Sequence, residues 1–321
     1  MNKSVTLMFA GTVLAAVAGV GHAQSFPTKP IRMIAGIGPG GAPDVLARTI
    51  AQRMSETIGQ SVLVENRTGA NGAIAAEYVL KSPPDGYTLF VADAGHYAIN
   101  PALYSKLPYD AFRDFTPVSR AGAPPIYLVA NANTTIRSVQ DLINQSKQAP
   151  IPYGSSGNGN GNHLAMELFK SLTGANLTHI PYKGAATLTP AIVAGDVAVG
   201  FAGLSTIQPH VKSGRLRMLG VASGQRSSLT PDVPTVAEGG VPKFSIDISV
   251  GFLAPAATPR DVIMKLNTEI NNALKVPEVR ARLEAVGVRP VGTTPEQFGE
   301  AMRAEAAQLG ALVRAVGAKV D

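Results

Sequence analysis

Gly36-Ile37-Gly38-Pro39-Gly40-Gly41-Ala42-Pro43-Asp44 is a glycine-rich turn between two segments of different hydrophobic period. Before it, Ile31 to Ala35 is a short segment, apolar except for Arg32, of strand length. After it, Pro43 to Ile58 carries Val45, Leu46, Ile50 and Met54 near helical spacing. Glycines let the backbone turn tightly and leave its N–H groups uncovered. Pro43 suits a first helical turn, where a missing N–H costs nothing. The turn therefore predicts a strand entering a helix N-terminus with free donors and a partial positive charge, which is an anion site. Gly40, Gly41 and Asp44 are its candidate ligand-binding residues.

Outward from this turn the same unit repeats. Val62-Leu63-Val64 reads as a strand, Ala73 to Lys81 as a helix and Thr88 to Ala92 as a third strand, as in an open parallel sheet. A second series follows. Ile126 to Ala130 is a strand, Val139 to Lys147 and His163 to Leu172 are helices, and His179 to Tyr182, Val197 to Phe201 and Leu216 to Ala222 are strands. Phe252-Leu253-Ala254 is a last apolar run. Pro259 to Ala318 is almost all helical, with a break at Gly287 to Pro295. The pattern predicts an α/β chain of two sheets rather than one large sheet. Crossings are expected at the proline-rich segment Ala121 to Pro125 and near Ser249 to Pro255. Lobe 1 is then 24–125 plus 249–321 and lobe 2 is 126–248, with a two-crossing hinge and a ligand cleft between them.

Tyr153-Gly154-Ser155-Ser156-Gly157-Asn158-Gly159-Asn160-Gly161-Asn162-His163 stands before a helix in the second series. Ser and Asn side chains can cap that helix or meet a ligand. Ser155, Ser156, Gly157, Asn160 and His163 are the candidates here. Two helix N-termini, one per lobe, can grip a carboxylate from both sides with no buried Lys or Arg.

The N-terminus and the composition narrow the class. Lys3, an uncharged apolar run from Val5 to Val20, and Gly21-His22-Ala23 read as a signal peptide, 1–23, cleaved after Ala23. The expected product is a free periplasmic protein, monomeric and not membrane-embedded. The absence of Cys removes disulfides, thiolate metal sites and Cys nucleophiles. Without Lys3 the chain carries 27 basic and 22 acidic residues, a net charge of +5. That excess suits an anionic ligand. With no basic run and no Trp for base stacking, nucleic acid is not an expected partner.

Enzymatic readings fare poorly. Gly36, Gly38 and Gly41 spell G-x-G-x-x-G, and Glu65 lies 24 residues past Gly41, which resembles a dinucleotide fingerprint. A secreted NAD-dependent oxidoreductase is thus the alternative. An exported location and Pro43 at the packing position speak against it. There is no G-x-S-x-G, and no Ser stands beside a His at a plausible elbow. His163 and Glu167 are spaced i, i+4 but have no further ligand nearby, and His96, His179 and His210 are scattered. No metal, cofactor or catalytic residue is expected.

The chain also resembles the Bug family, the substrate-binding proteins of tripartite tricarboxylate transporters. The matching runs include Phe26-Pro27-x-Lys29-Pro30-Ile31, Gly40-Gly41-x-x-Asp44 with Ala47-Arg48, and Val64-Glu65-Asn66-Arg67-x-Gly69-Ala70. They continue with Pro84-Asp85-Gly86-Tyr87-Thr88, Asn100-Pro101-x-Leu103-Tyr104 and Leu107-Pro108-Tyr109-Asp110. Tyr153-Gly154-Ser155, His163-Leu164-Ala165, Pro181-Tyr182-Lys183-Gly184, Asp232-Val233-Pro234-Thr235 and Ala254-Pro255 complete them. The resemblance implies a two-lobed periplasmic binding protein fold (type II-like), a small organic carboxylate as ligand, and transporter membrane subunits as partners. A sensory role through a partner protein is also compatible with it. It adds Ala70, Lys183, Gly184 and Phe201 to the candidates. Three positions depart from the family, one of them near Ser249, where a Trp is often found and this chain has none. Ile37 stands where an aromatic residue is usual, and Ala202 where an Asp is common. Without that carboxylate an ammonium-bearing ligand lacks a partner, unless Asp93 or Asp247 supplies one.

Overall fold

The computed structural model describes residues 26–315 and residue 317. The signal-peptide reading of 1–23 lies outside them. In chain order the strands are β1 (Ile31–Ala35), β2 (Val62–Asn66), β3 (Thr88–Asp93), β4 (Phe115–Ala123), β5 (Ile126–Asn131), β6 (Ile151–Ser155), β7 (Leu177–Pro181), β8 (Val199–Gly203), β9 (Leu216–Val221), β10 (Val250–Pro255) and β11 (Arg289–Pro290). The helices are α1 (Ala42–Thr57), α2 (Ala73–Leu80), α3 (Asn100–Leu103), α4 (Val139–Ser146), α5 (Gly161–Thr173), α6 (Ala185–Ala194), α7 (Leu204–Lys212), α8 (Arg260–Lys275), α9 (Pro277–Ala285) and α10 (Pro295–Ala315).

The strands form two sheets, in the orders β11-β4-β10-β3-β1-β2 and β7-β6-β8-β5-β9. Neither is purely parallel, contrary to the expectation of an open parallel sheet. β1 runs parallel to β2 and β3, but β10 is antiparallel to β3 and β4. In the second sheet β6 is parallel to β7 and β8, while β5 is antiparallel to β8 and β9. β5 and β10 are the first strands after each crossing. They enter from the other sheet, so no helical crossover forces them parallel.

Among the elements that escaped the hydrophobic pattern are β4, α6 and α7. β4 contains Pro117, which cannot donate to a ladder, and its pairing with β10 shifts register twice. α6 and α7 contain Pro190 and Pro209, which break a helical reading. Burial of Leu188, Ala191, Ile192 and Ile207 against the second sheet outweighs that local cost.

Each sheet has an outer core. One joins Met33, Leu46, Ile50 and Phe252 to α8 and α9, and the other joins Tyr127, Val129 and Val197 to α6 and α7. A third core is shared. It runs from Ile34, Phe90 and Tyr97 through Leu103 to Leu128, Tyr153, Phe169 and Phe201, with Phe298, Met302 and Leu309 of α10.

A carboxyl from α10 sits where both crossings meet the first sheet. Glu305 accepts from Tyr97 Oη at 2.7 Å and from Ser249 Oγ, and lies 3.8 Å from Arg120 Nη2. Ser249 directly precedes β10, and Arg120 lies near the end of β4. Burial pushes the Glu305 carboxyl up, against the pull of Ser249, Tyr97 and Arg120. A carboxyl raised in the folded state contributes stability that is full below its unfolded value and lost as pH rises through the folded one. As pH rises above about 4 the wild type should therefore lose stability relative to Glu305→Gln. Urea unfolding at a series of pH values measures this, and a pH-independent difference between the two proteins would contradict it.

Candidate ligand-binding site

The loop between β1 and α1 is shaped by its own helix. Asp44 is 2 % exposed. Its Oδ2 accepts from the Gly40 N–H at 3.0 Å and from Arg48 Nε at 3.1 Å, and its Oδ1 accepts from Asn66 Nδ2 at 2.8 Å. Asn66 Nδ2 also donates to the Ile37 carbonyl at 3.0 Å. Burial opposes ionisation of Asp44, but these donors outweigh it and hold the carboxyl below the usual carboxylate range. Asp44 and the Gly40 N–H are thus spent on the loop itself, and Ile37 is tied through its carbonyl. Gly41 is the N-cap of α1, with extended backbone and no side-chain cap. The N–H groups of Gly41 and Ala42 have no protein partner among the described residues.

Behind this loop lies a histidine wedge. A Cβ on Gly36 would sit 2.6 Å from His96 Nε2, and one on Gly72 would sit 2.0 Å from it. His96 Nδ1 lies 3.0 Å from the Asp93 backbone N and 2.9 Å from Asp93 Oδ1, and Nε2 is buried with no hydrogen-bond partner among the described residues. Asp93 Oδ1 also accepts from the Gly95 N–H at 2.8 Å. Burial opposes ionisation of Asp93, but His96 and these backbone donors outweigh it and hold the carboxyl low. Asp93 therefore serves its own turn. Ala70, exposed, and Asn71 have left-handed backbones, at φ 45 and φ 48. Asn71 Nδ2 donates to Asn100 Oδ1 at 2.6 Å, and Asn100 Nδ2 donates to Tyr109 Oη at 3.0 Å.

The second loop joins β6 to α5. Asn160 caps the helix, with Oδ1 accepting from the N–H groups of Asn162 and His163 at 2.9 and 3.3 Å. His163 Nδ1 accepts from the Gly159 N–H at 3.0 Å. Ser156 Oγ accepts from Asn162 Nδ2 at 3.1 Å, and the Ser156 carbonyl accepts from the Gly184 N–H at 3.2 Å. Gly184, at φ 90, is the N-cap of α6, and Lys183 beside it is exposed. Ser155 is fully buried, and its Oγ accepts from the Gly157 N–H at 3.2 Å. The N–H groups of Ser156, Asn158 and Gly161 have no protein partner among the described residues.

Ser155 Oγ also lies 2.7 Å from His179 Nε2, a Ser–His pair formed across two strands 24 residues apart in the chain. A fully buried hydroxyl cannot reach a substrate, so the pair does not make a nucleophile. The His179 ring stacks on His163 at 4.1 Å and on Tyr153 at 4.9 Å. Burial, reinforced by His163, pushes His179 down to about 4.

The structure brings the second loop against the first sheet's elements. A Cβ on Gly159 would meet Leu103 of α3 at 2.0 Å, and one on Gly161 would meet Ile248 of the return crossing at 2.2 Å. Phe201 and Ala202 stand apart from both loops' polar groups. Phe201 is fully buried and stacks on Phe244 at 5.6 Å; Ala202, 1 % exposed, packs in the core under α6 and α7. Alternation along β8 sends the two side chains to opposite faces.

Glu65, Gly36 and Glu167, which figured in the rival readings, have contacts of their own. Glu65 is gripped by Arg32 at 2.6 and 2.7 Å, and Gly36 is explained by the close approach of His96. Glu167 accepts from Tyr153 Oη at 2.6 Å and from Lys170 Nζ at 2.8 Å. Among the described residues no group of three or more His, Asp or Glu side chains could hold a metal ion. No described helix is long and apolar enough to cross a membrane. Asn66, His96, Asn100 and His179 are the residues the sequence reading left without a site role. Only Asn66 and Asn100 had a signal, through the family runs that contain them.

The chain is similar to known proteins along nearly all of its length. Residues 46–318 match the model described as tripartite tricarboxylate transporter family receptor. Protein BugT of Bordetella pertussis is 36% identical over 326 residues, covering 100% of both chains. An R. palustris protein solved with adipate superposes with a TM-score of 0.87 at 34% identity, covering 92% of this chain and 100% of its own. MatC from Rhodopseudomonas palustris, solved with bound malate, gives a TM-score of 0.82 at 28% identity, covering 90% and 100%.

Proposed function

Because this chain belongs to the tripartite tricarboxylate transporter receptor family, we propose that it is a periplasmic receptor that closes over a small dicarboxylate and presents it to the transporter's membrane subunits. The carrying observation is the pair of glycine loops, one at the end of a strand in each sheet. Each runs into a helix N-terminus and keeps some backbone N–H groups that have no protein partner among the described residues. In this reading the Gly41 and Ala42 amides of one lobe and the Ser156, Asn158 and Gly161 amides of the other take the ligand. The lobes are 24–125 plus 249–321 and 126–248. The protein acts as a monomer, exported by a signal peptide over 1–23, and does no chemistry on what it binds.

An acid without an ammonium group suits the site best. Adipate and malate are bound by two similar structures, and the Asp93 carboxylate is already occupied by its own turn. A desolvated ammonium group without a carboxylate partner costs several kcal/mol.

A thermal-shift screen tests this reading. Adipate or malate at a hundred times its dissociation constant should add ~2.7 kcal/mol of stability, with no consumption of the acid. NAD should add none. Turnover of a bound acid, or stabilisation by NAD alone, would sink the receptor reading and revive the oxidoreductase.

A further inference from the structure

Ser155 holds the second loop by three contacts that are compatible in one arrangement. Its Oγ accepts from the Gly157 N–H at 3.2 Å and lies 2.7 Å from His179 Nε2, and its proton reaches the Gly157 carbonyl at 3.1 Å. A hydroxyl has one proton and two lone pairs. If that proton went to His179, the Gly157 carbonyl would lose its donor. All three contacts hold together when His179 carries its proton on Nε2 and donates it to Ser155. Gly157, at φ 131, then closes a turn over a serine with no exposed surface.

The His179 ring is locked where this bond needs it. It lies between Tyr153 and His163, both stacked on it at an interplanar angle of 21°. The Tyr153 hydroxyl donates to Glu167, which Lys170 also grips. His163 in turn takes the Gly159 N–H through Nδ1. The ladder of three rings thus runs from β6 through β7 to α5 and ties down two of the loop's glycines, Gly157 and Gly159. What it leaves without protein partners among the described residues are the Ser156, Asn158 and Gly161 N–H groups.

We infer that His179 is the positioning residue of this ligand loop: by donating Nε2–H to the buried Ser155 it sets the turn that leaves the Ser156 and Asn158 N–H groups for a carboxylate. Its ligand half rests on the receptor reading above. His179 itself does not touch the ligand.

The test has two arms. In the ligand-free protein, nitrogen chemical shifts of the imidazole should report the Nε2–H tautomer, and the Gly157 amide should be protected from exchange. His179→Leu should lose about tenfold of that protection, the scale of one hydrogen bond. His179→Gln, whose amide can still donate to Ser155, should keep most of it. A melt of each variant separates loss of the turn from loss of the fold. An Nδ1–H tautomer, or unchanged Gly157 exchange in a folded His179→Leu, overturns the proposal.

In the second arm, calorimetry with adipate and with malate should show His179→Leu and Ser155→Ala each weakening affinity by about tenfold. Because both break the same link, the double variant should be no weaker than either, and His179→Gln should recover most of the loss. Full affinity in His179→Leu, or losses that multiply in the double variant, overturns the ligand half. If the exchange arm succeeds and wild type binds neither acid, the receptor reading fails and the ligand half with it, while the loop-positioning half stands.

Discussion

Gly72→Ala should destabilise the protein by about 2–5 kcal/mol. The backbone there is left-handed, at φ 82, which costs ~1–2 kcal/mol for a residue with a Cβ. The added methyl would lie 2.0 Å from His96 Nε2 and 2.4 Å from its Cδ2. The ring cannot retreat. It is 3 % exposed, meets Phe90 edge-on at 4.9 Å and is tethered to Asp93 through Nδ1. Overpacking of that kind costs a further ~1–3 kcal/mol. Gly38→Ala is the control, because a Cβ there meets nothing within 4 Å. It should change stability by less than about 0.5 kcal/mol. Urea unfolding with an unchanged m-value reads both. Adding His96→Ala to Gly72→Ala should restore part of the loss by removing the clash but not the backbone strain. A Gly72→Ala protein as stable as wild type would mean the wedge is not built as described.

Gly41→Val should abolish dicarboxylate binding while leaving the fold intact, a loss of at least about a hundredfold, or ~2.7 kcal/mol. Gly41 has an extended backbone, at φ -71 and ψ 159, which a β-branched residue adopts readily. Its Cβ would meet nothing closer than the Gly38 carbonyl at 3.8 Å. The fold therefore tolerates the substitution, and the isopropyl group stands over the uncapped start of α1. Calorimetry with adipate measures the loss, and the melting curve should remain cooperative. Unchanged affinity would remove α1 from the site.

Much of the local architecture is legible in the chain. The helix expected over Pro43 to Ile58 is α1, Ala42–Thr57, and that expected over His163 to Leu172 is α5, Gly161–Thr173. Both follow from apolar spacing and from glycine or proline at the entry, signals that lie within one turn of the element they describe. The same holds for the two glycine loops as helix entrances. β4, α6 and α7 were not legible, since their prolines argue against them locally and only burial against the sheets reverses that argument.

The sequence by itself determined the two glycine loops, the strands and helices they join, and a crossing into the second sheet within Ala121 to Pro125, of which the structure gives the first three residues to β4. All of these are statements about neighbours along the chain. Only the tertiary structure decided how the loops' donors are divided. It turned Asp44 inward onto Gly40, set Asp93 against His96, and placed Phe201 and Ala202 in the core. It also set His96 against Gly36 and Gly72, and His179 against Ser155. Asp44 with Gly40 and Asp93 with His96 are close along the chain, but the other partners lie on different strands, helices and turns. A hydrogen bond or a close ring contact between such elements leaves no periodic trace in the residues between them. Which backbone N–H remains for a ligand is what is left after those contacts are made, so it is settled by packing and not by residue type.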